Sequence, residues 1–250
     1  MKIDLQSDIC DVLSLLEVKT PSCGKFRVGG SNDGGYVMAR DLGESKYGYS
    51  IGVGPQIKWD EEMAQFGLSI YQYDHTVEGL PTEHENFTYH KLGIAAQNTL
   101  PDLITLNEML KRNGHSNQEN LILKIDVEGA EWDVFDALDV YTLSLFDQII
   151  IEFHGLRLLF LDDFRNRARR VFQKLNHSHT AAHVHANNYG GMHIVEGIAI
   201  PDVVELLYCK RTRFDFLTSS EIFPTALDEP CKSDEPDLFL GPFRFKCLAA

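Results

Sequence analysis

The sequence predicts an α/β fold: a seven-stranded, mostly parallel sheet with an antiparallel last strand and helices on both faces. From about residue 47, short apolar segments alternate with amphipathic helical segments, as in strand–helix–strand units. The 250 residues are enough to bury such a core. The last two predicted strands are joined without a helix, and a direct return makes neighbouring strands antiparallel.

The chain before the alternation predicts a helix and a hairpin. Residues 5–16 carry apolar side chains at helical spacing, and Pro21 follows shortly after them. Residues 26–39, FRVGGSNDGGYVMA, have two extended pieces around a loop rich in Gly, Asn and Asp, which is typical of a hairpin. We therefore expect 1–45 to form an N-terminal helix and a hairpin that acts as a lid.

Seven strands and four helices are expected in the next segment, 46–212. The predicted strands are 47–51, 69–73, 87–92, 121–126, 147–153, 181–186 and 203–210. Three helices are predicted to bury Trp59, Met63 and Phe66; Leu103, Leu106 and Leu110; and Leu161, Phe164, Ala168, Val171 and Leu175. A fourth helix begins after Gly129. Residues 213–250, rich in Pro, Asp and Glu, form either a peripheral arm that packs its Phe residues or a partly mobile one.

Composition excludes several classes of protein. The net charge of −14 argues against a nucleic-acid partner, because binding a phosphate backbone needs clustered Lys and Arg. The N-terminus does not resemble a secretory signal, and no apolar run approaches the ~20 residues of a membrane-spanning helix. The five cysteines are scattered and never in a CxxC pair, which favours a reducing compartment. We expect a cytoplasmic protein without a membrane partner.

Acids, histidines, glycines and asparagines follow the predicted strands, at the edge of the sheet where ligands of such folds bind. In chain order these residues are Gly52, Gly54, Asp74, Gly93, Asp126, Glu128, Glu152, His154, His185, Asn187 and Asn188.

The first strand end indicates a nucleoside-containing cofactor. Gly52 and Gly54 allow a sharp turn and close approach of a ligand. Asp74 follows Gly54 by about 20 residues, the spacing at which an acid meets ribose hydroxyls. In GVGPQI, however, Ile57 stands where a nicotinamide fingerprint has its third glycine. S-adenosylmethionine, which has no pyrophosphate, therefore fits better than NAD.

Longer strings give a specific resemblance. LKIDVEGAEWDVF, at 123–135, resembles the signature of the FkbM-type methyltransferases, class I enzymes that use S-adenosylmethionine. RVGGSNDGGYVM, IIIEFHG, HVHANNYG and VVELLYCKR extend the resemblance over about 27–211, whereas the C-terminal tail has no counterpart. The resemblance implies a Rossmann-like class I methyltransferase fold and methylation, typically of oxygen, on a sugar, glycan or other small polar acceptor.

The resemblance also implies roles for individual residues. Gly52 and Gly54 would cradle the methionine portion, and Asp74 would hold the ribose. Gly93 and Ile94 would lie against the adenine. The DGGY loop, with Gly35 and Tyr36, would fold over the site, although the same residues also suit a plain turn.

The transfer step leaves two chemical possibilities open, because a hydroxyl acceptor must lose its proton to a base or to a metal-activated group. Asp126 and Glu152 end adjacent strands and could share Mg²⁺ or Mn²⁺. In the alternative, His154 or His185 is the base. The acceptor would then contact Asn187, Asn188 and Glu128, the last of which is alternatively a helix cap.

Two other classes of function are compatible with the pattern. One is a nicotinamide-dependent oxidoreductase, and the other is a non-catalytic nucleoside-binding domain. The identity of the acceptor and the oligomeric state stay open.

Overall fold

The computed structural model describes residues 4–98 and 100–245. The helices are α1 (Leu5–Ser14), α2 (Lys58–Gln65), α3 (Leu106–Arg112), α4 (Glu131–Ala137), α5 (Val140–Ser144) and α6 (Asp162–Ser178), with a 3₁₀ helix at Leu156–Phe160. The strands are β1 (Lys19–Pro21), β2 (Lys25–Val28), β3 (Tyr36–Ala39), β4 (Tyr47–Ile51), β5 (Ser69–Tyr73), β6 (Phe87–His90), β7 (Gly93–Ile94), β8 (Leu103–Ile104), β9 (Leu121–Ile125), β10 (Phe146–His154), β11 (His179–Ala186), β12 (Met192–Val195), β13 (Ile198–Pro201), β14 (Val203–Lys210) and β15 (Phe216–Thr218).

The central sheet has seven strands in the order β11-β14-β10-β9-β4-β5-β6. Strands β4, β5, β6, β9 and β10 pair in parallel, and β14 lies antiparallel between β10 and β11. The predicted α/β class with a mostly parallel seven-stranded sheet is confirmed. The chain winds from β4 outward to β6 and then returns to β9 on the other side of β4, so strand order reverses between β4 and β9.

Both faces of the sheet are covered, because side chains along each strand alternate between them. In β9, Leu123 packs in the core that includes residues of α1, α3, α4 and α6, whereas Ile122 packs in the core with α2 and the β2–β3 hairpin. Lys124 shares the parity of Ile122 and therefore lies on the hairpin-covered face. The same alternation puts Glu152 of β10 and Glu205 of β14 on that face.

Helix ends account for the errors in the predicted helices. Trp59 and Met63 are fully buried by α2, but Phe66 caps that helix and is 53% exposed. Leu161 likewise precedes α6 and is 45% exposed, while Ala168, Val171 and Leu175 are buried as expected. Leu103 lies in β8 and not in a helix, because Thr105 starts α3 by accepting a hydrogen bond from the Glu108 amide.

The segment after residue 213 packs against the rest of the chain as far as it is described. β15 pairs with β1, and the side chain of Phe223 is fully buried. Asp228 pairs with His183 at 2.8 Å, and Glu221 pairs with Lys25 at 2.7 Å. We call residues 213–245 the C-terminal arm. Its predicted continuation to residue 250 lies outside the described residues.

Two further observations concern cysteines and membranes. Cys10, Cys23, Cys209 and Cys231 form no disulfide within the described ranges, and Cys247 lies outside them. Every helix of those ranges is too short or too polar to cross a bilayer.

Candidate functional site

A cavity of about 440 Å³ opens beyond the carboxyl ends of β4, β5 and β9, next to the reversal of strand order. Such a volume suits a small-molecule cofactor. Six of the predicted cofactor residues line it: Gly52, Gly54, Asp74, Gly93, Ile94 and Asp126. The exposed carboxylate of Glu128, a predicted acceptor residue, also lines this cavity.

The glycine turn after β4 brings backbone to the floor of the cavity. Gly52 has φ +74°, and a Cβ there would overlap the carbonyl oxygen of Asp126. Gly54 has φ +56°, with open space where its Cβ would be. The positive φ favours glycine at both positions. At Gly52 the neighbouring backbone also leaves no room for a side chain.

Asp74 is held as an ionised carboxylate at the cavity wall. It accepts hydrogen bonds from the Gly54 amide at 2.9 Å, the Thr76 amide at 2.7 Å and the Thr76 hydroxyl at 2.6 Å. Burial alone would raise the pKa of Asp74, but these hydrogen bonds lower it below its usual value. A fixed carboxylate beside a glycine turn has further lone pairs for ligand hydroxyls.

Asp126 is a second acidic residue in the lining of the cavity. Tyr36 donates a long hydrogen bond of 3.4 Å to Asp126 Oδ2, whereas Oδ1 is buried without a hydrogen-bond partner in the described chain. Burial raises the pKa of Asp126 to about 6, although Lys124 and His154 act in the opposite direction. This carboxyl group therefore changes charge near neutral pH.

Lys124 is a site residue that sequence reasoning missed. It lines the cavity, is 2% exposed, and donates to the Gly52 carbonyl at 3.2 Å. Its ammonium group also lies 5.4 Å from the centre of the Tyr36 ring. The available signal was a single lysine inside the otherwise apolar strand LILKI, because a lysine there must be buried.

His154 lies behind Asp126 and is oriented by Glu131. Its Nδ1 is 3.2 Å from Glu131 Oε1, and its Nε2 is 3.9 Å from Asp126 Oδ1. Burial lowers the pKa of His154, but the neighbouring carboxylates, Glu131 foremost, raise it by more. Glu131 is fully buried and also accepts from the Val127 amide, so it combines a capping role with the orientation of His154.

Glu152 lies under the site and does not line the cavity. It is 3% exposed, and Asn187 donates to its Oε1 at 2.8 Å. Burial, with the charges of Asp126 and Glu205, raises the pKa of Glu152 well above its usual value. Asn187, predicted to contact an acceptor, uses its amide to hold this carboxyl group in place.

The predicted metal pair of Asp126 and Glu152 is arranged differently from the expectation. Asp126 has ligand atoms within 4.8 Å of those of Glu131 and His154, and these three could hold a metal ion. Glu152 does not belong to this group. Strand ends alone suggested the pairing, whereas Glu131 enters from the first turn of α4.

A second cavity of about 390 Å³ adjoins the first. The two share Asp33, Gly34, Pro55 and Gln56 as walls. Tyr189 and Cys231 complete the second cavity, with Ser31, Asn32, Ile57 and Lys58. The DGGY loop thus lies between two adjacent cavities, as a lid over a two-ligand site would.

Residues 72–189, from within β5 to just past β11, match the family model of the methyltransferase FkbM domain. This stretch, a little under half of the chain, is therefore similar to the methyltransferase FkbM domain. The human protein named "Probable methyltransferase-like protein 24" is 30% identical over 118 residues, which cover 42% of this chain. The match covers 32% of that relative, so the chain spans about a third of its length.

Two solved structures resemble the chain weakly. One is described as a hemolysin, from Streptococcus thermophilus, with a TM-score of 0.39, 10% identity and coverage of 76% of this chain and 63% of that one. The other is a point mutant of the 16S rRNA (adenine(1408)-N(1))-methyltransferase from Catenulisporales acidiphilia, with a TM-score of 0.32, 10% identity and coverage of 77% and 98%. At these scores neither bears on the function of this chain.

Two predicted residues at the end of the matched stretch bind the C-terminal arm instead of facing the cavity. His185 is 1% exposed, with Nδ1 2.9 Å from Glu205 and Nε2 3.0 Å from Asp237. Burial lowers the pKa of His185, but these carboxylates raise it to about 10, so His185 does not suit the role of a base. Asn188 accepts from the Lys232 amide at 2.7 Å and donates to the Lys232 carbonyl.

The lid residues ahead of the matched stretch also differ from the prediction. Gly35 and Tyr36 do not line the cofactor cavity, whereas Asp33 and Gly34 do. A Cβ at Gly35 would lie 2.5 Å from the Gly30 carbonyl oxygen, so this glycine serves the tight hairpin loop. Tyr36 is buried beneath the loop, where it contacts Asp126.

Proposed function

We propose that the protein is an S-adenosylmethionine-dependent methyltransferase with the Rossmann-like class I fold. On this proposal it methylates a hydroxyl oxygen of a sugar, glycan or other small polar acceptor. The main support is the cavity at the reversal of strand order, where Gly52, Gly54 and the ionised Asp74 stand together in a chain of which residues 72–189 match the methyltransferase FkbM domain. The net charge of −14 supports a small-molecule partner over a nucleic acid. Cytoplasmic localisation stays a prediction.

The residues of the first cavity fit an adenosyl cofactor. Asp74 supplies an anchored acceptor for ribose hydroxyls, and Gly93 and Ile94 form a wall for the adenine. When bound, S-adenosylmethionine supplies a sulfonium-activated methyl group for in-line displacement by an acceptor oxygen. NAD fits less well, because Ile57 stands at the position of the third fingerprint glycine, and α2 begins there without a side-chain cap.

The second cavity is the proposed acceptor site. Its lining combines amide, hydroxyl and carboxylate groups with the exposed ring of Tyr189, which is a suitable surface for a small polyhydroxyl compound. Because Asp33 and Gly34 belong to both cavities, closure of their loop would bring the two ligands together and exclude water.

Asp126 is the proposed base. It lines the cofactor cavity, has an unpartnered buried oxygen, and has a pKa of about 6, which suits proton transfer near neutral pH. His154, held by Glu131, faces the same oxygen at 3.9 Å and would stabilise the charge of Asp126. Glu152, whose pKa is raised well above its usual value by burial, is a positioning group for this pair.

Metal assistance is the alternative way to activate the acceptor. Asp126 Oδ1 and Glu131 Oε2 are both buried without hydrogen-bond partners in the described chain, and with His154 they form a donor set that suits Mg²⁺ or Mn²⁺. In that case these three residues would hold the ion, which would lower the pKa of the acceptor hydroxyl.

Calorimetric titration tests the cofactor assignment. S-adenosylmethionine, S-adenosylhomocysteine and NAD are each titrated into the protein, once with Mg²⁺ and once with a chelator. We expect micromolar binding of the two adenosyl ligands and none of NAD. Binding of NAD alone would replace the proposal with the oxidoreductase alternative. An acceptor screen beginning with glycans then follows, and turnover that survives exhaustive chelation would eliminate the metal.

A further inference from the structure

A buried group of metal-ligand side chains lies outside the cofactor cavity, where the C-terminal arm meets the sheet. It consists of His185 on β11, Glu205 on β14 and Cys231 in the arm, and we call it the arm cluster. The three residues are 1%, 5% and 3% exposed. None of them lines the cofactor cavity, whereas Cys231 also lines the second cavity.

The donor atoms of the arm cluster converge. One ligand atom from each of the three residues lies within 4.8 Å of the others. His185 Nδ1 is 2.9 Å from Glu205 Oε2, and Cys231 Sγ is 3.2 Å from Glu205 Oε1. Imidazole, thiolate and carboxylate are all ligands of Zn²⁺, and a thiolate disfavours Mg²⁺ and Ca²⁺.

The far side of the histidine is arranged as at zinc sites. His185 Nε2 lies 3.0 and 3.1 Å from the two oxygens of Asp237, so an N–H at Nε2 donates to that carboxylate. With Nε2 occupied in this way, Nδ1 is the nitrogen that faces Glu205, whose Oε2 lies 2.9 Å away. A carboxylate that orients the second nitrogen of a ligating histidine is a regular feature of zinc sites.

A buried carboxylate oxygen next to the cluster is unsatisfied. Glu152 pairs with Glu205 in the β10–β14 register, which puts the two side chains side by side on one face. Asn187 occupies Glu152 Oε1, whereas Oε2 has no hydrogen-bond partner in the described chain, although the residue is 3% exposed. A buried polar atom without a partner is costly and needs an explanation. Coordination to an ion would provide one.

We propose that the arm cluster binds a Zn²⁺ ion, with His185, Glu205 and Cys231 as ligands and the free oxygen of Glu152 as the fourth. Asp237 orients the histidine. The ion clamps the arm to the sheet, because Cys231 and Asp237 come from the arm and the other residues come from strands. Binding of the ion and docking of the arm are therefore linked.

The test uses the full chain, freed of metal by a chelator and then titrated with Zn²⁺ or Co²⁺. We expect one ion per chain and, with Co²⁺, a thiolate-to-metal charge-transfer band in the near ultraviolet. C231S should lose that band, and D237N should weaken metal binding roughly 10- to 100-fold. C23S is the matched control, because Cys23 is exposed and distant in sequence from the cluster. D126N controls for the separate donor group at the cofactor cavity, and both controls should keep the band.

Two measurements on the wild type keep the test valid if a variant folds poorly. Zn²⁺ should protect Cys231 from alkylation, located by mass spectrometry, and should slow tryptic cleavage after Lys232. Absence of stoichiometric Zn²⁺ binding at micromolar concentration, or a charge-transfer band that persists in C231S, would overturn the proposal and leave the cluster as a hydrogen-bonded ion network. S-adenosylmethionine binding measured on the same samples separates this outcome from failure of the proposed function, since D237N should keep it.

Discussion

Replacement of Asp74 by Asn removes one negative charge from the cofactor cavity with almost no change in volume. The native carboxylate accepts three hydrogen bonds within the protein and is proposed to accept two more from ribose hydroxyls. Asn offers a single acceptor oxygen, and its NH₂ group would face amide or hydroxyl donors. Hydrogen bonds to a charged group contribute about 1.5–3 kcal/mol each. Loss of one or two of them predicts about 2–4 kcal/mol, or a roughly 30- to 1,000-fold weaker Kd.

The assay is calorimetric titration of S-adenosylhomocysteine at pH 7.5, with the free energy of unfolding of the ligand-free protein measured alongside. The lowered pKa of Asp74 means that its ionised form stabilises the fold above the unfolded pKa, and that this contribution is lost as pH falls through the folded pKa. Some stability loss in the variant at neutral pH is therefore expected. T76V removes one hydroxyl donor, the 2.6 Å contact, and should weaken binding less than tenfold. A Kd for Asp74→Asn within threefold of the wild type would refute the ribose assignment.

Two further predictions concern the glycine turn and the base. G52A should lower the free energy of unfolding by about 2–4 kcal/mol, because the strain of a left-handed backbone adds to the overlap with the Asp126 carbonyl. G54A should lower it by only about 1–2 kcal/mol, because only the backbone strain applies there. Equal losses of the two variants in chemical denaturation would contradict the geometry. Once an acceptor is known, the wild-type rate should rise with pH through about 6 as Asp126 loses its proton. D126N should lack that limb and be roughly 10²- to 10⁴-fold slower, and an unchanged pH profile would exclude Asp126 as the base.

The strands were predictable because buried strands and amphipathic helices leave a periodic pattern in the chain. β4, β5 and β14 have the predicted bounds, and β9 differs by a single residue. The errors in predicted burial occur where the apolar periodicity of the sequence does not show which element covers a side chain. Phe66 has the period of the α2 face, yet the helix ends there and the ring turns to solvent. The short β12–β13 hairpin was not predicted, since the intervening glycines were interpreted as a plain connection.

The lining of the first cavity was predictable for a different reason, namely that strand ends in a parallel sheet converge. The predicted site residues that lie away from this cavity depend on partners far away in the chain. Asn188 binds Lys232 and His185 binds Asp237, which come from the arm, and no local pattern shows where an arm of this composition packs. Glu131 was not predicted to be a site residue, because its contact with His154 at 3.2 Å forms between two separate elements.

Glu152 connects the two halves of the site, and its burial makes a last prediction. It lies between Asp126 and Glu205, whose charges add to burial in raising its pKa. An acid with a raised folded pKa contributes stability that is present below its unfolded pKa, near 4.3, and is lost as pH rises through the folded pKa. In chelator-treated protein the wild type should therefore lose stability as the pH rises from about 4.3 toward the raised folded pKa of Glu152. E152Q keeps an acceptor for Asn187 and cannot ionise, so it should flatten this dependence and be the more stable protein at pH 8. Parallel pH profiles of the two proteins in urea denaturation would show that Glu152 is not protonated in the fold. If E152Q instead flattens the pH dependence of stability and also loses turnover or Zn²⁺ binding, this carboxyl group is kept in the core for function and at the expense of stability.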